Sequence, residues 1–279
     1  MGKAVYSEAQ IRDYVNPLIK RVSALSDRTQ TKIIGVCGGL GTGKSTLSAF
    51  LRDSLREKGY SVDNFSIDDF ITSYDHRRRL AQQNEGSPFY QIYRAMPGTH
   101  RVNDLKRTLE DIREGRDFEL PIFDKSLKGG WGDISQDTRK VSGRQDFVIF
   151  EGWLVGTPVI TSEELKKACD KYGANLDALD PTLKYSKVLL SSLREYQQLW
   201  SFLDHLAMLQ ADSKDSHHEW RNQAEITKAG SNARKKEEVS KYVDVFMPLI
   251  CAAYEYTQPD VTIKKNRDHQ FIGKVEKEN

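Results

Sequence analysis

The sequence predicts an α/β protein: a mainly parallel five-stranded sheet with helices on both faces and a helical lid. Three observations carry this expectation. Short apolar runs alternate with stretches of helical periodicity, the pattern of parallel strands joined by crossover helices. One such run, Lys32 to Cys37 (KIIGVC), passes through a glycine-rich turn straight into a helical stretch that begins at Thr46. The chain has 279 residues, 38% of them hydrophobic, which is enough for one sizeable core.

Taken in order, the first 30 residues predict an amphipathic helix. Ser7 and Gln10 have the spacing of a capping box, and Ile11, Val15, Leu18, Val22 and Leu25 follow at helical intervals, disturbed at Pro17. After the first strand, Thr46 to Leu55 sets Leu47, Phe50, Leu51 and Leu55 on one helix face. Ser61 to Ile67 reads as the second strand. From Thr72 to Arg101 the chain is polar and irregular, and a loop of that length in a compact domain is usually functional. Val102 to Glu114 is helical, whereas Phe118 to Asp133, with Gly129, Gly130 and Gly132, reads as irregular. Asp146 to Phe150 is the third strand, Lys187 to Leu190 the fourth, Leu206 to Leu209 the fifth and Val261 to Lys264 an edge strand. Helices are expected over Ser162 to Tyr172, His217 to Lys228 and Glu237 to Tyr254, and a solvated tail from Lys274 to Asn279. A single domain over 1–279, with its lid over 212–230, accommodates all of these.

Composition narrows the partners. Lys+Arg 42 against Asp+Glu 40 leaves a formal charge of +2 and no broad basic face, so no nucleic-acid partner is expected. No apolar run approaches the ~18 residues a membrane span requires, so no membrane partner is expected either. Cys37, Cys169 and Cys251 are too scattered for a disulfide framework and suit reduced thiols in the cytoplasm. His217-His218 lacks ligand partners at zinc spacing, and Arg77-Arg78-Arg79 reads as a hydrated helix face. Nothing in the sequence bears on oligomeric state.

The chemistry starts in the glycine turn. Gly38-Gly39-Leu40-Gly41-Thr42-Gly43-Lys44-Ser45 fits G-x-x-x-x-G-K-[ST], with a strand before it and a helix after it. The glycines let backbone N–H groups wrap a phosphate, and the helix beginning at Thr46 adds its positive end. Lys44 supplies a cation for the β- and γ-phosphates, and the Ser45 hydroxyl suits Mg²⁺, so ATP and Mg²⁺ are the expected cofactors. Neither an Asn-Lys-x-Asp guanine reader nor a Leu-Ser-Gly-Gly transporter signature occurs. Instead Ser66-Ile67-Asp68-Asp69-Phe70 closes the second strand, and ligands of open α/β sheets bind outside the carboxyl ends of strands. A carboxylate there, Asp68 or Asp69, can take a hydroxyl proton or position the metal. Phe147 to Glu151 is a second acid-terminated strand, a Walker B pattern with Glu151 as metal holder.

Further segments occur in a specific order: Pro97-Gly98-Thr99-His100, Leu120 to Ser126 (LPIFDKS), Glu151 to Gly156 (EGWLVG), Leu193 to Tyr196 (LREY), Glu219-Trp220-Arg221 and Phe246-Met247-Pro248. Together with the loop and Ser66 to Phe70, this resembles the D-glycerate 3-kinase family and its fungal P-loop kinase relatives, in the phosphoribulokinase/uridine kinase group. The resemblance covers nearly the whole chain from Lys32 onward. It implies transfer of the ATP γ-phosphate to a hydroxyl of a small acid, D-glycerate above all. It places the base at Asp68, the neighbour typical of the glycerate branch at Asp69, a basic residue at Lys125 and the lid arginine at Arg221. A carboxylate acceptor asks for cations or hydroxyl donors, and Arg94, Thr99, His100 and Lys125 are the available set. Trp131 and Trp153 are candidates for the acceptor pocket. Trp220 to Gly230, polar nearly all round and carrying Arg221 and Lys228, suits a lid that excludes water. Two positions depart from the family pattern: Arg101 stands where Asp is expected and Ile134 where Arg is expected. Another acceptor of the same group (pantothenate, a nucleoside or a sugar) and a non-catalytic ATP-binding regulator are the alternatives.

Overall fold

The computed structural model describes residues 6–91, 95–229 and 235–276, the side chains of 228 and 229 apart. The predicted Arg94, Gly230 and the side chain of Lys228 lie outside the described residues. The fold is α/β with a mostly parallel central sheet. Its strands are β1 (Lys32–Gly38), β2 (Val62–Ser66), β5 (Phe147–Gly152), β6 (His205–Ala211), β7 (Val261–Lys265) and β8 (Phe271–Glu276), ordered β2-β5-β1-β6-β7-β8. All neighbours are parallel except β7 and β8. A separate antiparallel hairpin pairs β3 (Phe118–Asp124) with β4 (Asp133–Val141).

Period-two alternation divides the core between the faces of the sheet. Ile34 and Val36 of β1 pack with Leu47, Leu51 and Leu55 from the helix Lys44–Glu57, beside Ile149, Leu209 and Ile263. Ile33 and Cys37 face the other way, with Val148, Phe150 and Met208, against Leu105, Leu109 and Ile112 of the helix Val102–Arg113. Every residue of β5 is buried, as a central parallel strand requires. None of the described helices is long and apolar enough to cross a membrane.

Several elements differ from the sequence expectation. The central sheet has six strands rather than five. Lys187–Leu190 is not a strand: it lies within the helix Lys184–Ser192, and so short an apolar run carries no period to separate the two. Lys274 to Glu276 belongs to β8, which Phe271 anchors by packing on Tyr6 and Tyr14, both at 5.3 Å. The hairpin replaces an irregular segment: its glycines occupy the turn, and β4 is too polar and exposed to signal a strand. A helix Tyr74–Gln83 stands inside the polar loop. At the N-terminus the capping box forms, with Ser7 Oγ accepting from Gln10 N at 3.2 Å. The helix then passes through a π-helical turn, Ile11–Val15, immediately before Pro17, whose ring and missing N–H an unbroken α-helix would not accommodate.

Arg77 is the clearest correction. It is buried, not hydrated: Nε donates to Thr72 O at 3.0 Å, Nη1 to Trp131 O at 3.0 Å and Nη2 to Gly132 O, with the guanidinium 5.0 Å from the Phe123 ring centre. It fastens the turn of the β3–β4 hairpin to the helix Tyr74–Gln83 and the segment before it. Replacing it by Met leaves three carbonyls without this donor, two of these bonds being buried, so we expect Arg77→Met to lose about 3 kcal/mol of stability in a urea titration. A loss below half that would mean the hairpin turn holds its place without this arginine.

Candidate active site

Residues 39–43 cross from the end of β1 to the helix Lys44–Glu57, with Gly41 at φ +74° and Gly43 at φ +90°. These are left-handed values that favour glycine. Gly43 caps the helix without any side-chain hydrogen bond, so the N–H groups of the first turn remain for an anion. Thr42 is buried and its hydroxyl donates to Gly39 O at 2.9 Å. Lys44 Nζ donates to the same carbonyl at 3.1 Å. Burial holds the Lys44 ammonium below the usual lysine range against the attraction of Glu151 and Asp68. Thr46 is exposed on the first helical turn, and Gly38 packs against Leu209 O, where a Cβ would come within 2.4 Å.

Parallel pairing sets Ser66 opposite Glu151 and Glu151 opposite Val36, so the acid-bearing strand ends lie beside the loop. Ser45 Oγ donates to Glu151 Oε1 at 2.8 Å. Asp68 sits on the 3₁₀ turn Ile67–Phe70 after β2, and Lys125 Nζ at the end of β3 donates to its Oδ2 at 3.1 Å. Burial opposes ionisation of Asp68, but Lys125, the His100 imidazole and Lys44 together hold its carboxyl below the ordinary range. One cavity of about 1040 Å³ is lined by Lys44, Ser45, Asp68, Lys125 and Glu151. Trp131, Trp153, Arg221, Tyr242 and Phe246 line it as well.

The remaining predicted residues have other positions. Asp69 turns back to cap its own strand end, Oδ2 accepting from Ser66 N at 2.9 Å, and burial raises its carboxyl to about 6. Thr99 is buried with its hydroxyl donating to Met96 O at 2.7 Å, so it forms a turn rather than the cavity wall. His100 bridges Ile71, and its Nδ1 lies 2.7 Å from Tyr196 Oη. Tyr196 Oη also accepts from Gly98 N at 3.1 Å, and the other ring nitrogen of His100 is Nε2. That Nε2 is buried without a partner among the described residues. Arg221 pairs with Glu225 at 3.6 Å and lies 5.3 Å from the Tyr242 ring centre. Arg101 bonds Asp104 at 3.2 Å over the Phe70 ring and does not line the cavity. Ile134 pairs with Phe123 in the hairpin. Trp153 hydrogen-bonds Ala95 O at 3.1 Å.

A brace behind the loop was not foreseen. His217 Nδ1 donates to Leu40 O at 2.7 Å, and Tyr254 Oη, accepting from Gly39 N and Ala211 N, donates to His217 Nε2 at 3.2 Å. Trp220 packs on Gly41, where a Cβ would meet it at 2.7 Å. Lys265 Nζ donates to Thr42 O at 2.7 Å. One signal was available: Val261, Ile263 and Lys265 alternate, which puts Lys265 on the buried face of its strand.

Burial lowers both His100 and His217 to about 4, so each is neutral when folded. Depressed histidines lose stability as pH falls from the unfolded value, ~6.5, toward 4, whereas the raised Asp69 gains stability as pH falls through 6. Two histidines outweigh one carboxyl. Unfolding free energy is therefore expected to drop by about 2 kcal/mol between pH 7 and pH 5, with His217→Gln reducing the slope. A flat urea-midpoint profile over that range would contradict neutral burial.

A phosphate-wrapping loop, a strand-end acid bonded to its serine, and a second acid beside a cation define the P-loop phosphotransferase class. No family model matches the chain. It is 33% identical over 224 residues to an uncharacterized kinase, mug58, of Schizosaccharomyces pombe, covering 77% of this chain and 78% of that protein. It is 28% identical over 224 residues to the probable ATP-dependent kinase TDA10 of Saccharomyces cerevisiae, covering 76% and 73%. A solved D-glycerate 3-kinase of Cryptococcus neoformans superposes with TM-score 0.79 at 24% identity, covering 96% of this chain and 98% of that one. The YGR205w protein superposes at 0.70 with 22% identity, covering 95% and 94%. The chain belongs to the same kinase family as the fission-yeast protein, within the P-loop kinases.

Proposed function

We propose that the protein transfers the γ-phosphate of ATP to a hydroxyl of a small hydroxy acid, with D-glycerate as the leading acceptor. The observation that carries this reading is the Asp68–Lys125 pair in the same cavity as Lys44, Ser45 and Glu151. Lys125 occupies Oδ2 of Asp68, which leaves Oδ1 for the acceptor hydroxyl. Asp68 takes the hydroxyl proton, the acceptor oxygen bonds the γ-phosphorus, and the bond to the β-phosphate oxygen breaks to release ADP. Lys44 stabilises charge on the transferred group, and Lys125 meets the acceptor carboxylate.

Ser45 and Glu151 suit Mg²⁺, with Asp68 next to them: they are hard oxygen donors, and no three His, Cys, Asp or Glu side chains gather as a metal cage among the described residues. Mg²⁺ is commonly held by one or two protein oxygens plus phosphates and water, and bound here it would supply charge neutralisation to the phosphates. The helix Lys214–Ala229 brings Arg221 to the cavity wall and serves as the lid that keeps water from the poised phosphate.

ADP release measured over a panel of hydroxy acids, sugars, pantothenate and nucleosides tests the proposal. Turnover that depends on glycerate supports it. Strong turnover only on a sugar or nucleoside moves the acceptor class, and ATP binding without turnover on any acceptor overturns the transfer itself.

A further inference from the structure

Lys265 ends β7 with its side chain almost wholly buried, at 3% exposure. Its Nζ donates to Thr42 O at 2.7 Å and stands 3.5 Å from His269 Nδ1, between the rings of Trp220 at 5.7 Å and Phe271 at 5.5 Å. Among the described residues no carboxylate pairs with it. Glu219 pairs with Arg267 at 2.8 Å, and Asp212 accepts from Ser216 Oγ at 2.7 Å. Asp268 acts on His269, and Lys44 on the far side of the loop is another cation. A buried ammonium without a counter-charge is costly, and such groups are ordinarily paired.

The carbonyl that Lys265 holds belongs to the Thr42–Gly43 peptide, whose N–H is that of Gly43 in the phosphate loop. A Cβ on Gly43 would stand 3.3 Å from Nζ. We propose that Lys265 is a positioning residue for nucleotide binding, polarising the Gly43 N–H through this peptide and finding its missing counter-charge in the bound phosphates. This rests on the reading of the loop as a nucleotide site.

Burial lowers Lys265 to about 8. An anion behind one peptide raises it again, so binding takes up protons near that pH. The test is calorimetric titration with ADP at pH 8 in buffers of different ionisation enthalpy. Wild type is expected to take up about half a proton, as a group at its own midpoint does on becoming fully charged. Lys265→Met is expected to fold, to lose that uptake and to bind ADP about tenfold more weakly, the order of a charge-assisted hydrogen bond. Unchanged affinity and unchanged uptake in Lys265→Met would overturn the proposal. If that variant does not fold, Lys265→Arg, which stays charged at every pH used, decides: loss of the uptake with ADP affinity kept supports the proposal, and uptake equal to wild type overturns it. Wild type that binds no ADP at all removes the nucleotide reading instead.

Discussion

Asp68→Asn is expected to lower kcat by about 10³-fold, within the range a positioned general base contributes, while ADP affinity stays within about twofold. The substitution keeps the shape of the side chain and a hydrogen-bonding oxygen but removes the proton acceptor. It also removes the partner that Lys125 holds at 3.1 Å, so Lys125 is free to shift and acceptor KM should rise as well. Asp68 lies on a short turn fixed by a reciprocal cap, in which Ser66 Oγ accepts from Asp68 N and Asp69 accepts from Ser66 N. The asparagine variant should therefore keep its fold, which a thermal melt checks. Retention of more than a tenth of wild-type kcat on the preferred acceptor would remove Asp68 from the role of base.

Lys44→Met should be as severe and differ in kind. The ammonium bridges the loop carbonyl of Gly39 and faces the charges of Glu151 and Asp68. Its loss removes charge stabilisation of the transferred group, at a cost in kcat of about 10² to 10³-fold, and weakens ATP binding too. The acceptor KM is expected to move little. If Lys44→Met turned over at the wild-type rate, the loop would be a binding cradle and the transferred charge would be stabilised elsewhere.

The parts of the site legible in the sequence were those whose chemistry depends on consecutive residues. The glycine loop, Lys44 and Ser45 stand in one uninterrupted motif, and Asp68 and Glu151 each end an apolar strand run, so the parallel sheet places them side by side. Residues drawn from loops were harder to place. Thr99 and Asp69 have side chains that satisfy backbone groups nearby, and a sequence does not announce whether a short polar chain will turn inward to its own turn. Arg77 illustrates the same limit at longer range. Three arginines in a row read as a wet surface, yet the first finds two carbonyls 54 and 55 residues away, and such partners leave no local mark. The strand errors have a simpler origin: Leu189 and Leu190 are as apolar as a strand needs, and the polar β4 is not.

The β3–β4 hairpin shares no strand pairing with the central sheet, yet it delivers Lys125, Gly129, Gly130 and Trp131 to the cavity. Two arginines tie it to the rest of the molecule: Arg77 holds its turn, and Arg139 on β4 donates to Asp63 and to Asn64 O of β2. On the proposed reading, substitutions on that ribbon would alter the acceptor side of the cavity while the strand ends that carry the loop and Glu151 stay in place. Of the two departures from the family pattern, Ile134 lies on that ribbon and Arg101 outside it, and neither lines the cavity.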